Sequence, residues 1–259
     1  MDRDFLAQTF GLATRTALVT GSCGGLGLAI ATALGRAGAR VIVNGRHPDR
    51  CHAAARGLAR LGIAAIPLPF DVADERAVID AGRHLEAQGL EVEILVANAG
   101  VQNRKAVTEM SLAEWRALMA VHVEGAFSCV RTYLPGMQKR NFGRIVLMSS
   151  VAACAAMPDI AAYASAKGAL TAFARALAVE YGGQGITANA IAPGFTRTDF
   201  TQALQGNAQF EQFLASGVPL GRWAEPEEIA PAVVYLASAA GGFMNGHMLM
   251  LDGGMLAHL

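Results

Sequence analysis

Short runs of Val, Ile, Leu and Ala alternate along this chain with longer amphipathic stretches. That alternation restricts it to a few folds. Runs apolar over roughly four to eight residues are what strands show when both faces of a sheet are covered. The longer stretches between them are of a length to cross over a sheet and connect parallel neighbours. The pattern predicts strands from Thr16 to Thr20, Arg40 to Asn44, Ile63 to Pro67, Val92 to Ala97, Arg144 to Ser149, Ile186 to Ile191 and His247 to Leu251. It predicts helices from Gly25 to Ala37, Pro48 to Leu61, Asp74 to Gln88, Ser111 to Gln138, Ala161 to Tyr181 and Pro226 to Ala237. Pro48 suits a first helical turn, Asp74 an N-cap, and Ser111 with Glu114 a capping box.

Nothing in the chain reads as a linker, a repeat or a low-complexity tract, so residues 1–259 are expected to form a single domain. The stretch from Thr196 to Gly221 departs from the alternation and reads as an inserted, mobile substrate loop. With 53% hydrophobic and 16% charged residues there is ample material for a core. Lysine plus arginine and aspartate plus glutamate number 21 each, which leaves no electrostatic footprint for nucleic acid or an anionic membrane. No apolar stretch reaches the roughly 18 residues of a membrane span, and the start, Met1-Asp2-Arg3-Asp4-Phe5, does not resemble a leader. A cytoplasmic protein is expected. Cys23, Cys51, Cys129 and Cys154 are scattered without metal-ligand spacing, so unpaired thiols and no metal site are expected.

The first apolar run is followed by Thr20-Gly21-Ser22-Cys23-Gly24-Gly25-Leu26-Gly27. Glycines at a strand-to-helix turn make the turn tight, let backbone approach a pyrophosphate, and let the helix pack on the strand. The N-terminus of a helix adds unpaired N–H groups that favour an anion. The spacing alone fits an ordinary tight turn equally well, but its place in the first strand–helix connection favours a dinucleotide seat. The expected fold is then a Rossmann-type, doubly wound α/β domain: a mostly parallel seven-stranded sheet with helices on both faces. Gly21, Ser22, Gly25, Leu26 and Gly27 are the candidate phosphate contacts.

The second strand ends Val43-Asn44-Gly45-Arg46. A carboxylate here would hold the ribose 2′-OH of NAD, and there is none. Arginine grips a phosphate bidentately, so Arg46, with Asn44 beside it, points to NADP rather than NAD. A solvated loop arginine is the competing reading.

Tyr163 and Lys167 are four residues apart and share a helix face, with Ser150 thirteen residues before the tyrosine. An ammonium group beside a phenol favours phenolate and lowers the tyrosine pKa from about 10. Such a tyrosine can pass a proton to or from a carbonyl oxygen. Joined to a dinucleotide that carries hydride, the pair indicates an oxidoreductase.

On these residues the chain resembles the short-chain dehydrogenases/reductases from about Leu12 to its end. The motifs are Thr20-Gly21…Gly25…Gly27, Asp71-Val72, Asn98-Ala99-Gly100, Ser150…Tyr163…Lys167, and Pro193-Gly194 followed by Thr198. The resemblance implies that Asp71 and Val72 flank the adenine and that Asn98 braces the central strand, with Ala99 and Gly100 beside the cofactor. It implies that Pro193, Gly194, Thr196 and Thr198 line the nicotinamide end. Tyr163 would be the general acid or base, Ser150 would hold the substrate oxygen, and Lys167 would bind the nicotinamide ribose. Where the family places a catalytic asparagine, this chain has His122. Histidine donates, accepts and titrates near neutrality, so it is expected to keep a proton relay; an impaired relay is the alternative. The resemblance also implies a homotetramer that pairs its long central helices and last strands, with the tail from Met255 to Leu259 buried at an interface.

Three stretches look like the gluconate 5-dehydrogenase group: Gly100-Val101-Gln102-Asn103-Arg104-Lys105, Gly221-Arg222-Trp223-Ala224-Glu225, and Asn245-Gly246-His247 through Asp252-Gly253-Gly254-Met255-Leu256-Ala257. They point to a secondary alcohol or ketone of a sugar acid, with Arg104 as the candidate carboxylate clamp and Lys105 second. Two solvated residues are the bland alternative. Cys154 and Met157 are expected to face the pocket, and Trp115 to pack at a subunit face. A 3-ketoacyl-(acyl-carrier-protein) reductase would share the fold and triad but call for a basic rim; Arg36, Arg40, Arg46 and Arg50 belong to the cofactor end. A non-catalytic NADP-binding regulator is the remote alternative, opposed by an intact Ser150, Tyr163 and Lys167.

Overall fold

The computed structural model describes residues 3–257. Its strands are β1 (Thr16–Val19), β2 (Arg40–Val43), β3 (Ala65–Pro67), β4 (Ile94–Ala97), β5 (Gly143–Met148), β6 (Ile186–Pro193) and β7 (Met248–Leu251). They form one sheet in the order β3-β2-β1-β4-β5-β6-β7. Each neighbouring pair is parallel, so the expected mostly parallel sheet is parallel throughout the described residues. From β1 the chain winds outward to β3, then returns beside β1 and winds the other way to β7. The strand order therefore reverses between β1 and β4, and such a reversal opens a crevice at the carboxyl ends of the strands.

Alternate strand residues enter two cores. Leu18, Ile42, Leu95, Ile145 and Ala188 pack with α4 (Glu75–Ala87), α6 (Gly125–Arg140) and α7 (Ala161–Tyr181). Val19, Val41, Ile94, Val96 and Val146 pack with α2 (Gly25–Arg36), α3 (Pro48–Arg60) and α9 (Pro226–Ala237). Each fully buried Val, Leu or Ile contributes about 1.5–3 kcal/mol over its exposed state. Burial on both faces is the reason these strands read as continuous apolar runs.

The capping signals are realised. The Asp74 side chain accepts from Ala77 N, and Ser111 and Glu114 cap α5 (Leu112–Met119) reciprocally. Three features differ from expectation. A first helix, α1 (Arg3–Phe10), precedes the sheet. The long helix predicted from Ser111 is divided by a π-helical turn, Ala120–Glu124, which separates α5 from α6. The segment read as an inserted, mobile substrate loop carries a 3-10 turn, Asp199–Leu204, and a helix, α8 (Ala208–Gly217), whose Phe210 and Leu214 pack with Val218 and Trp223. Among the described residues, no helix is long and apolar enough to cross a membrane. Among them, no three His, Cys, Asp or Glu side chains gather as a metal site.

Candidate active site

A cavity of about 450 Å³ lies at the reversal between β1 and β4. Its first wall is the glycine turn. The N-cap of α2, Gly24, offers no side-chain cap, so the first N–H groups of that helix remain available to an anion. A Cβ on Gly27 would come within 2.4 Å of Gly21 O and 2.6 Å of Asn98 Nδ2, so no larger residue fits beneath the turn. Asn98 ties β1 to β4: its Nδ2 donates to Thr20 O at 2.9 Å. Gly21, Gly25, Leu26, Asp71, Val72, Ala99 and Gly100 all line the cavity.

Ser22 does not. It is fully buried, its Oγ donates to Val19 O at 2.7 Å and accepts from Asn44 N, and it shapes the turn from behind. Asn44 lines the cavity, but its side chain serves backbone, donating to Leu68 O and Phe70 O and accepting from Gly21 N. Arg46 is the first charged side chain at this edge. With Arg50 it lines the cavity, and neither forms an ion pair among the described residues.

At the other end Ser150, Tyr163 and Lys167 converge. Ser150, just beyond β5, accepts from Ala152 N and hydrogen-bonds the Tyr163 phenol. Lys167 is buried, its Nζ donates to Met148 O at 2.6 Å, and it lies 5.4 Å from the centroid of the Tyr163 ring. Burial pulls the lysine down to about 7. It also raises the Tyr163 pKa, with the Ser150 hydrogen bond working in the opposite direction. The expected depression of the phenol by Lys167 is therefore not seen. The ammonium is committed to a backbone carbonyl, and removal of the phenol from water outweighs the rest.

His122 sits in the π-helical turn and is 98% buried by the walls around it, with 2% of its surface exposed. Its Nε2 is 2.7 Å from Val101 O and 3.1 Å from Val101 N. The shorter contact assigns the proton to Nε2, which leaves Nδ1 an acceptor, buried and without a partner among the described residues. Burial first, then the nearby Lys167 charge, lowers its pKa to about 3. Expected to titrate near neutrality, His122 is instead held neutral. Its ring meets that of Tyr163 edge-on, with centroids 5.6 Å apart, and a Cβ on Gly100 would stand 2.6 Å from its Cε1.

The substrate end divides the two candidate cations. Lys105 pairs with Glu114 at 2.9 Å and holds that carboxyl at about 2, whereas Arg104 is exposed, lines the cavity and has no ion pair among the described residues. Pro193, Gly194, Thr196 and Thr198 line the same cavity. Met157 faces it as expected, but Cys154 does not: the 3-10 turn Val151–Ala153 carries its side chain to the exposed surface. Trp115 packs against the buried cluster of Leu118, Ala162 and Ala166 within the same chain.

A family model described as enoyl-(acyl carrier protein) reductase matches residues 21–256. The gluconate 5-dehydrogenase of Gluconobacter oxydans is 37% identical, the alignment covering 96% of this chain and 98% of that one. The chain belongs to the short-chain dehydrogenase/reductase family.

Other members agree in sequence and shape. The 5-keto-D-gluconate 5-reductase of Escherichia coli is 36% identical over 95% of this chain and 97% of its own. The crystal structure of a gluconate 5-dehydrogenase from Burkholderia cenocepacia, in complex with NADP and tartrate, superposes with a TM-score of 0.95. It is 36% identical, over 98% of this chain and 99% of that one. This short-chain dehydrogenase/reductase thus has an oxidoreductase fold and family. Sequence reasoning overlooked its apolar wall of Phe195, Phe200, Leu204 and Met255. The Phe210 to Leu214 spacing behind Asn207 was a readable helix signal for that region. Phe200, whose ring centroid lies 6.0 Å from that of Tyr163, carried no local sign of its position.

Proposed function

We propose that this oxidoreductase uses NADP(H) to interconvert a secondary alcohol and a ketone of a sugar acid, such as gluconate and 5-keto-gluconate. Arg104, which lines the same cavity as Ser150 and Tyr163 and has no ion pair among the described residues, carries the reading, because its guanidinium offers a substrate carboxylate a partner in that cavity. The uncapped start of α2, the close seat at Gly27 and the unpaired Arg46 fit a dinucleotide diphosphate with a 2′-phosphate. When bound, the nicotinamide supplies or accepts the hydride.

The chain's own groups do the rest. Ser150 holds the substrate oxygen, and Tyr163, kept protonated by burial, donates the phenolic proton to it during reduction. Lys167, which burial brings to about 7, would bind the nicotinamide ribose and can hold or release a proton near neutral pH beside the phenol. His122 serves as a neutral acceptor through Nδ1 and keeps the relay ordered without changing charge. Asp71 and Val72 would hold the adenine, and Pro193, Gly194, Thr196 and Thr198 the nicotinamide end. The relatives named for gluconate, and the neighbour holding NADP and tartrate, support this assignment.

The apolar wall of Met157, Phe195, Phe200, Leu204 and Met255 favours a second reading, a 3-ketoacyl thioester reductase. NADPH consumption measured with 5-keto-gluconate and with acetoacetyl thioester separates them. The higher kcat/KM should belong to the sugar acid; a clear preference for the thioester would overturn the first reading, and turnover of neither would remove both. The same proposal places the enzyme in the cytoplasm as a homotetramer that pairs its central helices. Support comes from Leu112, Phe127 and Val179, which are exposed at 60%, 49% and 89% on α5, α6 and α7. Met255 to Ala257 form a short 3-10 turn, while His258 and Leu259 of the expected interface tail lie outside the described residues.

A further inference from the structure

Cys23 follows β1 in the glycine turn and Cys51 follows β2 on the first turns of α3, so the pairing of those strands brings the two thiols together. Their sulfurs are 3.3 Å apart. Cys23 is half-buried and lines the cavity; Cys51 is buried behind it. Each sulfur also reaches a backbone carbonyl, Cys23 that of Asn44 at 3.5 Å and Cys51 that of Gly45 at 3.4 Å. Those carbonyls belong to the segment that leads into Arg46. The thiol pair therefore joins the turn that would seat the pyrophosphate to the loop that would seat the 2′-phosphate.

We propose that Cys23 and Cys51 are a reversible dithiol–disulfide modification site that, when oxidised, weakens cofactor binding at the adenosine end of the cavity. The functional half of the proposal rests on the reading that this end holds NADP(H). The oxidant is a small-molecule disulfide, for which glutathione disulfide is the probe. Cys23, reached from the cavity, gives its proton to solvent and attacks one glutathione sulfur; one glutathione thiolate leaves. Cys51 then gives up its proton and displaces the second glutathione from Cys23. Two electrons pass from the protein sulfurs, the S–S bond of the reagent breaks, and two molecules of glutathione form. Burial, reinforced by Cys23, pushes the Cys51 thiol up to about 12, so it is not the thiol that meets the reagent; its second, intramolecular step is carried by the 3.3 Å contact with Cys23 and slowed by that raised pKa.

The new bond has a mechanical consequence. A disulfide is about 2.05 Å long, so the sulfurs must close by about 1.2 Å from their present contact. Both S–H groups, and their contacts to Asn44 O and Gly45 O, are lost. The turn is drawn towards α3 while Gly21 N and Ser22 N remain bonded to Asn44, which transmits the shift to the phosphate seat. A bound cofactor would cover Cys23 and slow its oxidation.

The test treats the whole reduced protein with glutathione disulfide, maps disulfides by peptide mass spectrometry, and follows NADPH binding by fluorescence. The expected result is a Cys23–Cys51 peptide pair lighter by two hydrogen atoms, a loss of NADPH affinity of about tenfold or more, and recovery with dithiothreitol. Saturation with NADP beforehand should slow formation of the bond. Cys51→Ser should take up glutathione at Cys23 and form no internal bond. Should that variant not fold, the wild-type map decides alone, and mapping separates any adduct at the exposed Cys154. Failure of the internal bond to form, or its formation with unchanged NADPH affinity, overturns the proposal. Reduced protein that never binds NADPH refutes the cofactor reading instead, a result visible before any oxidant is added.

Discussion

Lys167 stands one helical turn beyond Tyr163, yet its ammonium nitrogen donates to the carbonyl of Met148 at 2.6 Å and not to the phenol. The lysine is thereby held in a dry site, and its pKa falls to about 7 through burial. The unfolded chain, with an ordinary lysine at 10.5, binds more protons than the folded one between about pH 7 and 10.5. Folding stability contributed by this residue therefore rises with pH across that window. In thermal melts, Lys167→Met should gain most over the wild type below about pH 7, and the gap should narrow towards pH 10.5. A gap independent of pH would show that the lysine titrates normally.

The raised Tyr163 pKa fixes the sign of the activity profile. Ketone reduction needs the phenol protonated, so its kcat/KM should stay level through neutrality and fall only in alkali. Alcohol oxidation needs phenolate and should rise with pH over the same range. Both profiles are read from initial rates in buffers of constant ionic strength.

Arg46 bears on cofactor choice. Hydrogen bonds to charged groups are worth about 1.5–3 kcal/mol, so Arg46→Ala should raise KM for NADPH by about 10- to 100-fold. KM for NADH should stay within about twofold. Equal effects on both cofactors would place the 2′-phosphate elsewhere, with Arg50 the next cation on that wall.

For Arg104 the split between kinetic constants is informative. Arg104→Ala should raise KM for 5-keto-gluconate about tenfold or more, with kcat and the NADPH constant little changed. The same substitution should have little effect on an uncharged ketone. A loss confined to kcat would show that the guanidinium does not clamp the substrate.

His122→Ala leaves the Val101 carbonyl without its partner and should cost about 1–3 kcal/mol of stability in urea titrations. His122→Asn restores a donor and should recover much of that. Because the ring is neutral down to about pH 3, neither substitution should remove an inflection from the activity profile between pH 5 and 9. Loss of such an inflection in His122→Asn would mean that the histidine carries a proton in turnover.

Much of this architecture was legible because its signals are local. Buried parallel strands announce themselves through Val41-Ile42-Val43 or Ile94-Leu95-Val96, and the caps at Asp74 and Ser111 need only neighbours. The π-helical turn at Ala120–Glu124 was not, since one extra residue per turn leaves no compositional trace in an otherwise helical stretch. Nor was α1, because its 8 residues are too few to establish a helical period. At the site, the glycine turn and the Tyr163–Lys167 spacing were readable. Arg104 already ranks ahead of Lys105 on the sequence, but the physical reason, the Lys105–Glu114 ion pair, belongs to the fold, and the sulfur contact of Cys23 with Cys51 depends on β1 lying beside β2.

The most direct measurement is steady-state and single-turnover reduction of 5-keto-gluconate by NADPH, comparing wild type with Tyr163→Phe. The substitution should lower the rate of hydride transfer about 10²- to 10⁴-fold, with NADPH affinity unchanged. A Tyr163→Phe enzyme that transfers hydride as fast as the wild type would contradict a phenolic proton as the partner of that hydride.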